Sequence, residues 1–503
     1  MTEENGSTTG RKSGKPQKRP GSGVKSEAGA PSVGDATGSG QPLSQSKADN
    51  NHAKKNNDAP RHKRGPKKNT PENSFWDPAS FVVEPQAGKT RFHDLDLPAE
   101  LMHAIHDLEF EFCTPIQAEA LPQAIAGRDV VAKASTGTGK SAVFLIASFA
   151  RLLQKEQGRR RPGRPQVLVI APTRELVVQL AKDARALGKY TELEVVAAYG
   201  GIDYQKQRQR LQEKRVDILA ATPGRLLDYV GKGVVNLSEV SIMVIDEADR
   251  MLDMGFIPDV RKIIYKTPDK SKRQTVLFSA TLTEDVKRLS SQWCREPVSI
   301  ETESDQMTVE TVEQIVYMTT TTEKYDVLYN LLQSGDCDRV MIFTNMKNEA
   351  RRLSERLRRN AIDCVLLSGD VPQQKRSSRL ESFREGRVKI LVATDVAGRG
   401  IHINGISHVV NYTLPYEPED YVHRIGRTGR AGKPGISISF ADESGGFYLP
   451  DIEEFIGESL PCAVPPEELL VPAPKGTVQI KSEKFIDSGK SKKGMKGGRR
   501  PRR

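Results

Sequence analysis

The chain has 503 residues with a formal net charge of +11, and it contains no run of about 18 apolar residues that would cross a membrane. The first ten residues lack the charged region and apolar stretch of a secretory signal, so we expect a cytoplasmic protein without a membrane span. The five cysteines are scattered and form no C-x-x-C pair, which argues against a zinc site and a disulfide framework.

The positive charge lies at the two ends of the sequence. Residues 1–75 carry 14 basic and 7 acidic side chains, and residues 475–503 carry 11 basic and 2 acidic ones. The 399 residues between them hold 51 basic and 56 acidic side chains. Both ends are too poor in apolar residues to offset chain entropy, so we expect disordered basic tails. The tails are either electrostatic arms for phosphate backbones or solvating segments without a specific partner.

Between the tails, short β-branched runs alternate with helical stretches, a pattern typical of parallel α/β units. The apolar runs form two series, at 167–170, 242–245 and 276–278 and then at 340–343, 365–367, 390–392 and 408–410. A polar stretch separates the two series. We therefore predict two α/β domains, at 90–300 and 311–474, joined by a linker at 301–310.

A glycine-rich segment follows the first predicted strand, 129–133, and precedes a helical stretch, 142–153. Its sequence is Ala134-Ser135-Thr136-Gly137-Thr138-Gly139-Lys140-Ser141. This strand–loop–helix context is that of a phosphate-binding loop, in which Lys140 reaches the β- and γ-phosphates and Ser141 offers its hydroxyl to Mg²⁺. Ala134 replaces the first glycine of the usual pattern. The loop on its own therefore also agrees with an ordinary glycine-rich turn.

A second element carries two adjacent carboxylates. The apolar run 242–245 ends in Asp246-Glu247-Ala248-Asp249. An aspartate at the end of a buried strand can hold Mg²⁺, and Glu247 is placed to orient and deprotonate an attacking water. A surface acidic turn is the alternative, but it does not account for the phosphate loop in the same chain. Together the two elements predict hydrolysis of a nucleoside triphosphate, with Lys140, Asp246 and Glu247 as catalytic residues and Ser141 and Asp246 as metal ligands.

With these elements in place, the sequence resembles the DEAD-box RNA helicases over about residues 90–440. The resemblance implies two tandem RecA-like parallel-sheet domains with disordered basic N- and C-terminal tails. It also implies that Phe92 stacks on the adenine and that Gln117 hydrogen-bonds its edge. The expected nucleotide-binding residues are Phe92, Gln117, Ala134, Ser135, Thr136, Gly137, Thr138, Gly139, Lys140, Ser141 and Asp249.

Further matching segments imply contacts with RNA and with the γ-phosphate. The residues that would contact the RNA backbone are Pro172, Thr173, Arg174, Gly201, Thr222, Gly224, Arg225, Thr344 and Thr394. Ser279-Ala280-Thr281 resembles the element that links hydrolysis to strand separation, so Ser279, Thr281 and His423 are the expected coupling residues. By the same resemblance, Arg424 and Arg427 would reach across the interdomain cleft to the γ-phosphate as catalytic residues.

Finer features are similar to the bacterial RhlB-type members of the family, which work with the RNA-degrading machinery. These features are Arg399-Gly400-Ile401-His402 and the segment 448–457. Most relatives have Asp at the position of His402, where the resemblance implies that the carboxylate helps to hold the nucleotide ribose, so we expect His402 to change this contact. Ser135 and Glu109 also depart from the common residues, and we expect these changes to tune nucleotide affinity.

The sequence thus predicts an ATP- and Mg²⁺-dependent RNA helicase that hydrolyses ATP when stimulated by RNA and locally unwinds short duplexes, in RNA turnover. The expected partners are RNA bound without sequence specificity and a ribonuclease of an RNA-degrading complex. An ATP-locked clamp that scaffolds an RNA–protein assembly would use the same residues, so the sequence does not exclude this alternative. A non-enzymatic RNA-annealing protein and a DNA helicase agree less well with the motifs.

Overall fold

The computed structural model describes residues 76–134, 137–154, 161–301, 312–335, 337–398, 403, 405–429 and 434–478. Most residues of both predicted tails lie outside this part of the chain, as does the predicted linker beyond residue 301. Ser135, Thr136 and the segment from Arg399 to His402 also lie outside it.

The first sheet consists of seven parallel strands. They are β1 Val130–Lys133, β2 Val167–Ile170, β3 Val195–Ala198, β4 Ile218–Ala221, β5 Ile242–Ile245, β6 Gln274–Ser279 and β7 Val298–Glu301. Their spatial order is β3-β4-β2-β5-β6-β1-β7. Every residue of β2, β4, β5 and β6 is buried, because helices cover both faces of the sheet.

Nine α-helices accompany this sheet in the described part of the chain. They are α1 Ala99–Asp107, α2 Pro115–Ile125, α3 Lys140–Gln154, α4 Arg174–Leu187, α5 Tyr204–Glu213, α6 Pro223–Gly231, α7 Ala248–Asp253, α8 Ile257–Ile264 and α9 Glu284–Trp293. Local sequence fixes several of their starts. Thr173 and Thr283 accept a backbone hydrogen bond at the starts of α4 and α9, and Pro223 occupies the first turn of α6.

The second sheet repeats the architecture. Its parallel strands are β8 Val312–Met318, β9 Val340–Thr344, β10 Cys364–Leu367, β11 Ile390–Thr394, β12 His408–Asn411, β13 Gly435–Ala441 and β14 Cys462–Ala463, in the order β10-β11-β9-β12-β13-β8-β14. Its helices are α10 Lys324–Gln333, α11 Lys347–Arg359, α12 Gln373–Arg384, α13 Asp395–Gly398, α14 Pro418–Ile425 and α15 Leu449–Ile456. The predicted fold class, two tandem parallel-sheet α/β domains, is confirmed.

After α15 the chain forms an extended segment, residues 460–478, which we call the C-terminal strap. It contributes β14 to the sheet edge beside β8 and then runs along α10 and α11. Asn330 Nδ2 donates to the carbonyl oxygens of Leu469 and Val471, at 3.0 and 2.7 Å. Leu469, Leu470 and Ala473 pack against the domain core. The sequence pattern did not predict this segment.

The segments with the predicted site residues lie at the ends of strands, on one edge of each sheet. The phosphate loop follows β1, the acidic pair follows β5, and Ser279 ends β6. Thr344 and Thr394 end β9 and β11. Since all the strands are parallel, these segments lie at the carboxyl edge of their sheets, where ligands bind in open α/β folds. Among the described residues, no helix is both long and apolar enough to span a bilayer.

Candidate nucleotide and RNA site

The phosphate loop brings a buried lysine against a buried aspartate. Gly137 and Gly139 have φ angles of 99° and 90°, a region that glycine adopts without steric cost. Lys140, the first residue of α3, places its Nζ 3.2 Å from Asp246 Oδ1. Burial would lower the pKa of Lys140, but the nearby carboxylates, Asp246 foremost, outweigh it and raise the pKa above its usual value. The lysine is therefore charged, as phosphate binding requires.

The environment of Asp246 fits a magnesium ion. Its carboxylate is fully buried, and neither oxygen has a hydrogen-bond donor among the described residues, apart from the ion-pair contact with Lys140. Burial raises its pKa, although Lys140 opposes this effect. A buried carboxylate with free lone pairs is a suitable oxygen ligand for Mg²⁺. Ser141 lies one residue after Lys140 at the start of α3, on the same cleft.

Glu247 has a strained backbone and a charged neighbour. Its φ and ψ are both 57°, a left-handed conformation that is uncommon for a residue with a side chain. Its Oε2 lies 3.0 Å from Nη1 of Arg250, and both side chains are buried. Arg250 was not predicted from the sequence, because nothing in the local pattern marks a partner one turn after the acidic pair.

Asp249 ties the acidic segment to the end of β6. Its Oδ2 accepts hydrogen bonds from the backbone N–H groups of Ala280 and Thr281, at 2.9 and 3.1 Å. Its own N–H donates to Ser279 Oγ at 3.1 Å. The predicted coupling residues Ser279 and Thr281 are therefore joined directly to the acidic segment. Asp249, a predicted nucleotide-binding residue, thus contacts the end of β6 in this structure.

The predicted adenine-binding residues line a cavity of about 400 Å³ beside the phosphate loop. Gln117 Nε2 donates to the carbonyl of Gly139 at 3.0 Å, and Thr114 Oγ1 donates to the carbonyl of Thr138 at 2.8 Å. The Phe92 and Phe110 rings lie 6.0 Å apart. Asp183 of α4, which the sequence analysis missed, also lines the cavity. Ala134 is buried at the end of β1.

Arg424 is anchored inside the second domain. Its Nε and Nη2 donate to the two carboxylate oxygens of Asp395 at 2.6 and 2.7 Å. Nη2 also donates to Asn345 Oδ1 at 2.7 Å, and Nη1 donates to the carbonyl of Thr413 at 2.6 Å. A direct contact of Arg424 with phosphate would require exchange of one of these bonds. Arg427 is also buried, and its Nε donates to the carbonyl of His423 at 3.0 Å.

The predicted RNA residues of the first domain follow β2, β3 and β4. Pro172 is buried, Thr173 caps α4, and Arg174 is exposed. Gly201, with φ 85°, lies against the Arg174 guanidinium, which leaves no room for a side chain. Gly224 is exposed beside Thr222, and the guanidinium of Arg225 lies over the Tyr204 ring at 5.1 Å. In the second domain, Thr344 and Thr394 are buried at their strand ends.

A polar contact joins the two domains next to Arg174. Glu175 Oε1 accepts from Arg376 Nε at 2.9 Å and from Gln373 Nε2 at 3.1 Å. Gln373 Oε1 in turn accepts from Arg174 Nη1 at 3.2 Å. We call these four residues the interdomain latch. Only Arg174 of the four was predicted from the sequence, because Gln373 and Arg376 lie about 200 residues from Glu175 along the chain.

One parallel-sheet domain carries a phosphate loop and an acidic segment, and polar contacts join it to a second such domain with buried arginines. This arrangement defines the class of two-domain nucleotide-dependent helicases. The family model of the DEAD/DEAH box helicases matches residues 114–289, and that of the helicase conserved C-terminal domain matches residues 323–432. The chain belongs to the DEAD-box RNA helicase family.

Two curated relatives match this chain over almost their whole length. The ATP-dependent RNA helicase RhlB of Pseudomonas putida is 58% identical over 395 residues, covering 78% of this chain and 99% of the relative. The protein of the same name from Shewanella denitrificans is 42% identical over 423 residues, covering 83% and 96%. The predicted resemblance to RhlB-type helicases is confirmed.

Solved structures agree with the fold. S. cerevisiae Dbp5 bound to RNA and ADP·BeF₃ matches with a TM-score of 0.67 and 30% identity, covering 74% of this chain and 95% of that one. Mss116p bound to single-stranded RNA and AMP-PNP matches with a TM-score of 0.68 and 26% identity, covering 77% and 82%.

Proposed function

We propose that this protein is an ATP-dependent RNA helicase whose ATP hydrolysis is stimulated by RNA and which locally unwinds short RNA duplexes. The observation that carries the proposal is the buried Lys140–Asp246 pair at the carboxyl ends of β1 and β5. Asp249 connects this pair to the end of β6, and the interdomain latch connects the same domain to the second one. The curated relatives are named ATP-dependent RNA helicase, and Dbp5 and Mss116p were solved with RNA and nucleotide.

In the proposed mechanism the first domain binds ATP. Phe92 and Gln117 hold the adenine, and the backbone of the phosphate loop and Lys140 hold the phosphates. Asp246 and Ser141 would hold Mg²⁺, which neutralises charge on the phosphates when bound. Glu247 orients the attacking water and accepts its proton.

The second domain completes the site. Arg427 approaches the γ-phosphate when the cleft closes and stabilises the charge of the transition state. Arg424, fixed by Asp395 and Asn345, holds the segment that presents Arg427. Closure aligns the RNA-contacting residues of both domains into one surface that binds mainly phosphate and sugar, so little sequence specificity is expected.

The pathway is part of the proposal. We infer a role in RNA turnover in the cytoplasm, together with a ribonuclease, and the support is the similarity to RhlB-type helicases. Purification of the tagged full chain from its own cells, with ribonuclease treatment to remove RNA-mediated contacts, tests this inference. Recovery of no ribonuclease would count against it.

The activity is tested with the full-length protein. Phosphate release from ATP is measured with and without single-stranded RNA, and unwinding is followed with a short labelled duplex under multiple turnover. We expect RNA to increase hydrolysis and ATP to drive strand separation. Stable ATP-dependent RNA binding without turnover would instead identify an ATP-locked clamp.

A further inference from the structure

Helix α11 exposes only basic side chains and one neutral polar side chain. The exposed residues of this helix are Lys347, Asn348, Arg351, Arg352, Arg356 and Arg359. Its two acidic residues, Glu349 and Glu355, are half-buried. The part of the sequence between the two tails carries more acidic than basic residues, 56 against 51. The basic face of α11 therefore stands out from its surroundings and does not reflect a generally basic domain.

Helix stability accounts for only part of this face, because Glu355 is four residues from both Arg351 and Arg359, a spacing at which opposite charges attract. Arg352 and Arg356 are four residues apart, and like charges at this spacing repel each other. Arg356 and Arg359 lie in the last turn, where the helix dipole favours cations. Arg351 and Arg352 lie in the first half of the helix, where the dipole gives no such benefit.

A cavity of about 500 Å³ lies beside this face. It is located beyond the ends of β9 and β12, and its lining includes Tyr325, Tyr412, Asn348, Glu349, Arg352 and Arg356. None of the residues that the sequence analysis assigned to RNA or nucleotide binding lines it. The cavity is therefore separate from the site described above.

The polar groups of the cavity are only partly satisfied. The hydroxyl of Tyr325 is buried and has no hydrogen-bond partner among the described residues. The Arg356 guanidinium lies 3.5 Å from the centroid of the Tyr325 ring and 3.6 Å from Asp326 Oδ1. Lys324 is held by Asp442 at 2.7 Å. Arg352 forms no ion pair with any residue that the structure describes, so it is available for an anion at the rim of the cavity.

We propose that the cavity and the arginines of α11 form a second RNA-binding site, which holds one unpaired nucleotide and its flanking phosphates. This inference rests on the proposed function, because it assumes that RNA is the substrate. Guanidinium groups bind phosphate by charge-assisted hydrogen bonds, and proteins hold unstacked bases against aromatic and guanidinium planes. The half-buried Tyr412 supplies an aromatic wall, and the Arg356 guanidinium, which lies over the buried Tyr325 ring, supplies a second planar surface. Asn348 and Glu349 supply hydrogen-bonding groups for a base edge.

The C-terminal strap ends at the same helix. The backbone N–H of Val478 donates to the carbonyl of Arg359 at 3.2 Å, so the described part of the chain ends next to the last turn of α11. The remaining residues, 479–503, carry 10 basic and 2 acidic side chains. If this basic segment also binds RNA, it adds a contact that is linked to α11, and two linked sites on one strand bind more tightly than either site does alone.

The test compares two charge-reversal variants of the full chain. One variant carries Arg352→Glu and Arg359→Glu and changes the proposed site. The control variant carries Arg261→Glu and Lys266→Glu, which change the charge of two exposed residues of the first domain by the same amount. Binding of a fluorescein-labelled oligouridine is measured by anisotropy without nucleotide over a salt series. We expect the α11 variant to lose at least about tenfold in affinity at low salt and its log–log slope to become shallower by about 1.4, since each lost contact is worth about 0.7. The control variant should stay within about twofold of wild type.

Placement of the base is tested by crosslinking. A 4-thiouridine oligonucleotide is irradiated with the wild-type protein, and crosslinked peptides are identified by mass spectrometry. We expect crosslinks in the peptides that contain α11 or Tyr412, and their loss in the α11 variant. Circular dichroism melting checks that both variants are folded.

Three outcomes separate this inference from the proposed function. If wild type binds no RNA and RNA does not stimulate its ATPase, the proposed function itself fails and the second site fails with it. If wild type binds RNA and the α11 variant shows the same affinity, slope and crosslinks, only the second site is overturned. If RNA binding is unchanged but a copurifying protein is lost, α11 is a protein-docking face and the RNA assignment is wrong.

Discussion

At the scale of single residues, Glu247 combines a costly backbone conformation with an ion pair to Arg250. Left-handed residues with side chains persist where surrounding contacts hold them, and they concentrate at functional sites. The strain thus agrees with the proposed role of Glu247 as the base. The adjoining Asp246 differs, because its burial and its free lone pairs suit a metal ligand.

Replacement of the base isolates the chemical step. We expect Glu247→Gln to keep ATP and RNA binding and to lose RNA-stimulated hydrolysis by at least about a hundredfold, since a glutamine cannot accept the proton. Phosphate release at saturating RNA measures the loss, and binding of a fluorescent nucleotide supplies the control. Near wild-type turnover would show that another group acts as the base.

Arg427 should act on the transition state rather than on the bound nucleotide. We expect Arg427→Ala to leave ATP affinity within a few-fold and to lower RNA-stimulated kcat by about 10³ or more, the scale seen for arginines supplied across such clefts. Steady-state kinetics at saturating RNA measure both quantities. Normal turnover of this variant would mean that the second domain does not complete the site.

Asp183 gives a pH-dependent prediction. Burial raises the pKa of this carboxyl to about 6, although a hydrogen bond from Gln179 opposes the shift. Because this folded-state pKa is above the ordinary value, the protonated carboxyl contributes fully to the free energy of unfolding below a pH of about 4. The contribution is lost as the pH rises through about 6.

We therefore expect Asp183→Asn to raise the melting temperature at pH 8 by about 2–4 °C, because it removes a charge that is costly to bury. The difference should disappear at pH 4, where the wild-type carboxyl is protonated. Thermal melts at the two pH values test this, with the exposed Asp96→Asn as the control. An equal effect at both pH values would exclude ionisation as its cause.

At the scale of elements, the interdomain latch connects the start of α4 to the start of α12. The Arg376–Glu175 pair is only 12% and 10% exposed, so its partners are poorly hydrated and removal of one leaves the other unpaired. The latch lies directly beside Arg174, a predicted RNA contact. The latch therefore connects the contact between the two domains to a residue of the predicted RNA-binding surface.

Disruption of the latch should affect RNA-dependent closure more than nucleotide binding. We expect Glu175→Gln to lower RNA-stimulated kcat by about tenfold, while the KM for ATP changes little, because the latch is outside the nucleotide cavity. The control is Glu284→Gln, whose carboxylate is 90% exposed and paired with Lys287. A KM effect equal to the kcat effect would place Glu175 in nucleotide binding instead.

The sequence predicted those features that a local pattern encodes. The buried strands β2 and β5 were predicted from their apolar runs, and the phosphate loop was predicted from its place between a strand and a helix. The partners of Glu175 and Glu247 were not predicted, since the first contact joins segments far apart and the second depends on a backbone turn. The C-terminal strap was missed because its strand, β14, has only two residues, both exposed.

At the scale of the whole molecule, charge is divided between a slightly acidic middle and two basic ends. The tails carry 14 and 11 basic residues against 7 and 2 acidic ones. If they act as electrostatic arms, they should raise RNA affinity without taking part in the chemistry. A C-terminal truncation should begin after Val478, because an earlier one removes the contacts of the C-terminal strap with α10 and α11.

We expect the protein without residues 1–75 and 479–503 to keep ATP hydrolysis at saturating RNA. Its RNA affinity should fall by at least about tenfold at low salt and its salt slope should become shallower, since fewer phosphate contacts release fewer counterions. RNA binding against salt, for full-length protein and for each single truncation, provides the measurement. Equal affinity and slope would identify the tails as solvating or protein-binding segments.

The two sheets also share an order of assembly. In each one the first strand lies between late strands: β1 between β6 and β7, and β8 between β13 and β14. During synthesis on the ribosome, β8 must therefore wait, without its sheet neighbours, until Gly435–Ala441 and then Cys462–Ala463 have been made. Such long waits expose apolar strand edges to chaperones and to aggregation. A nascent chain that stalls before the strap leaves the ribosome will hold a second domain with an open edge at β8.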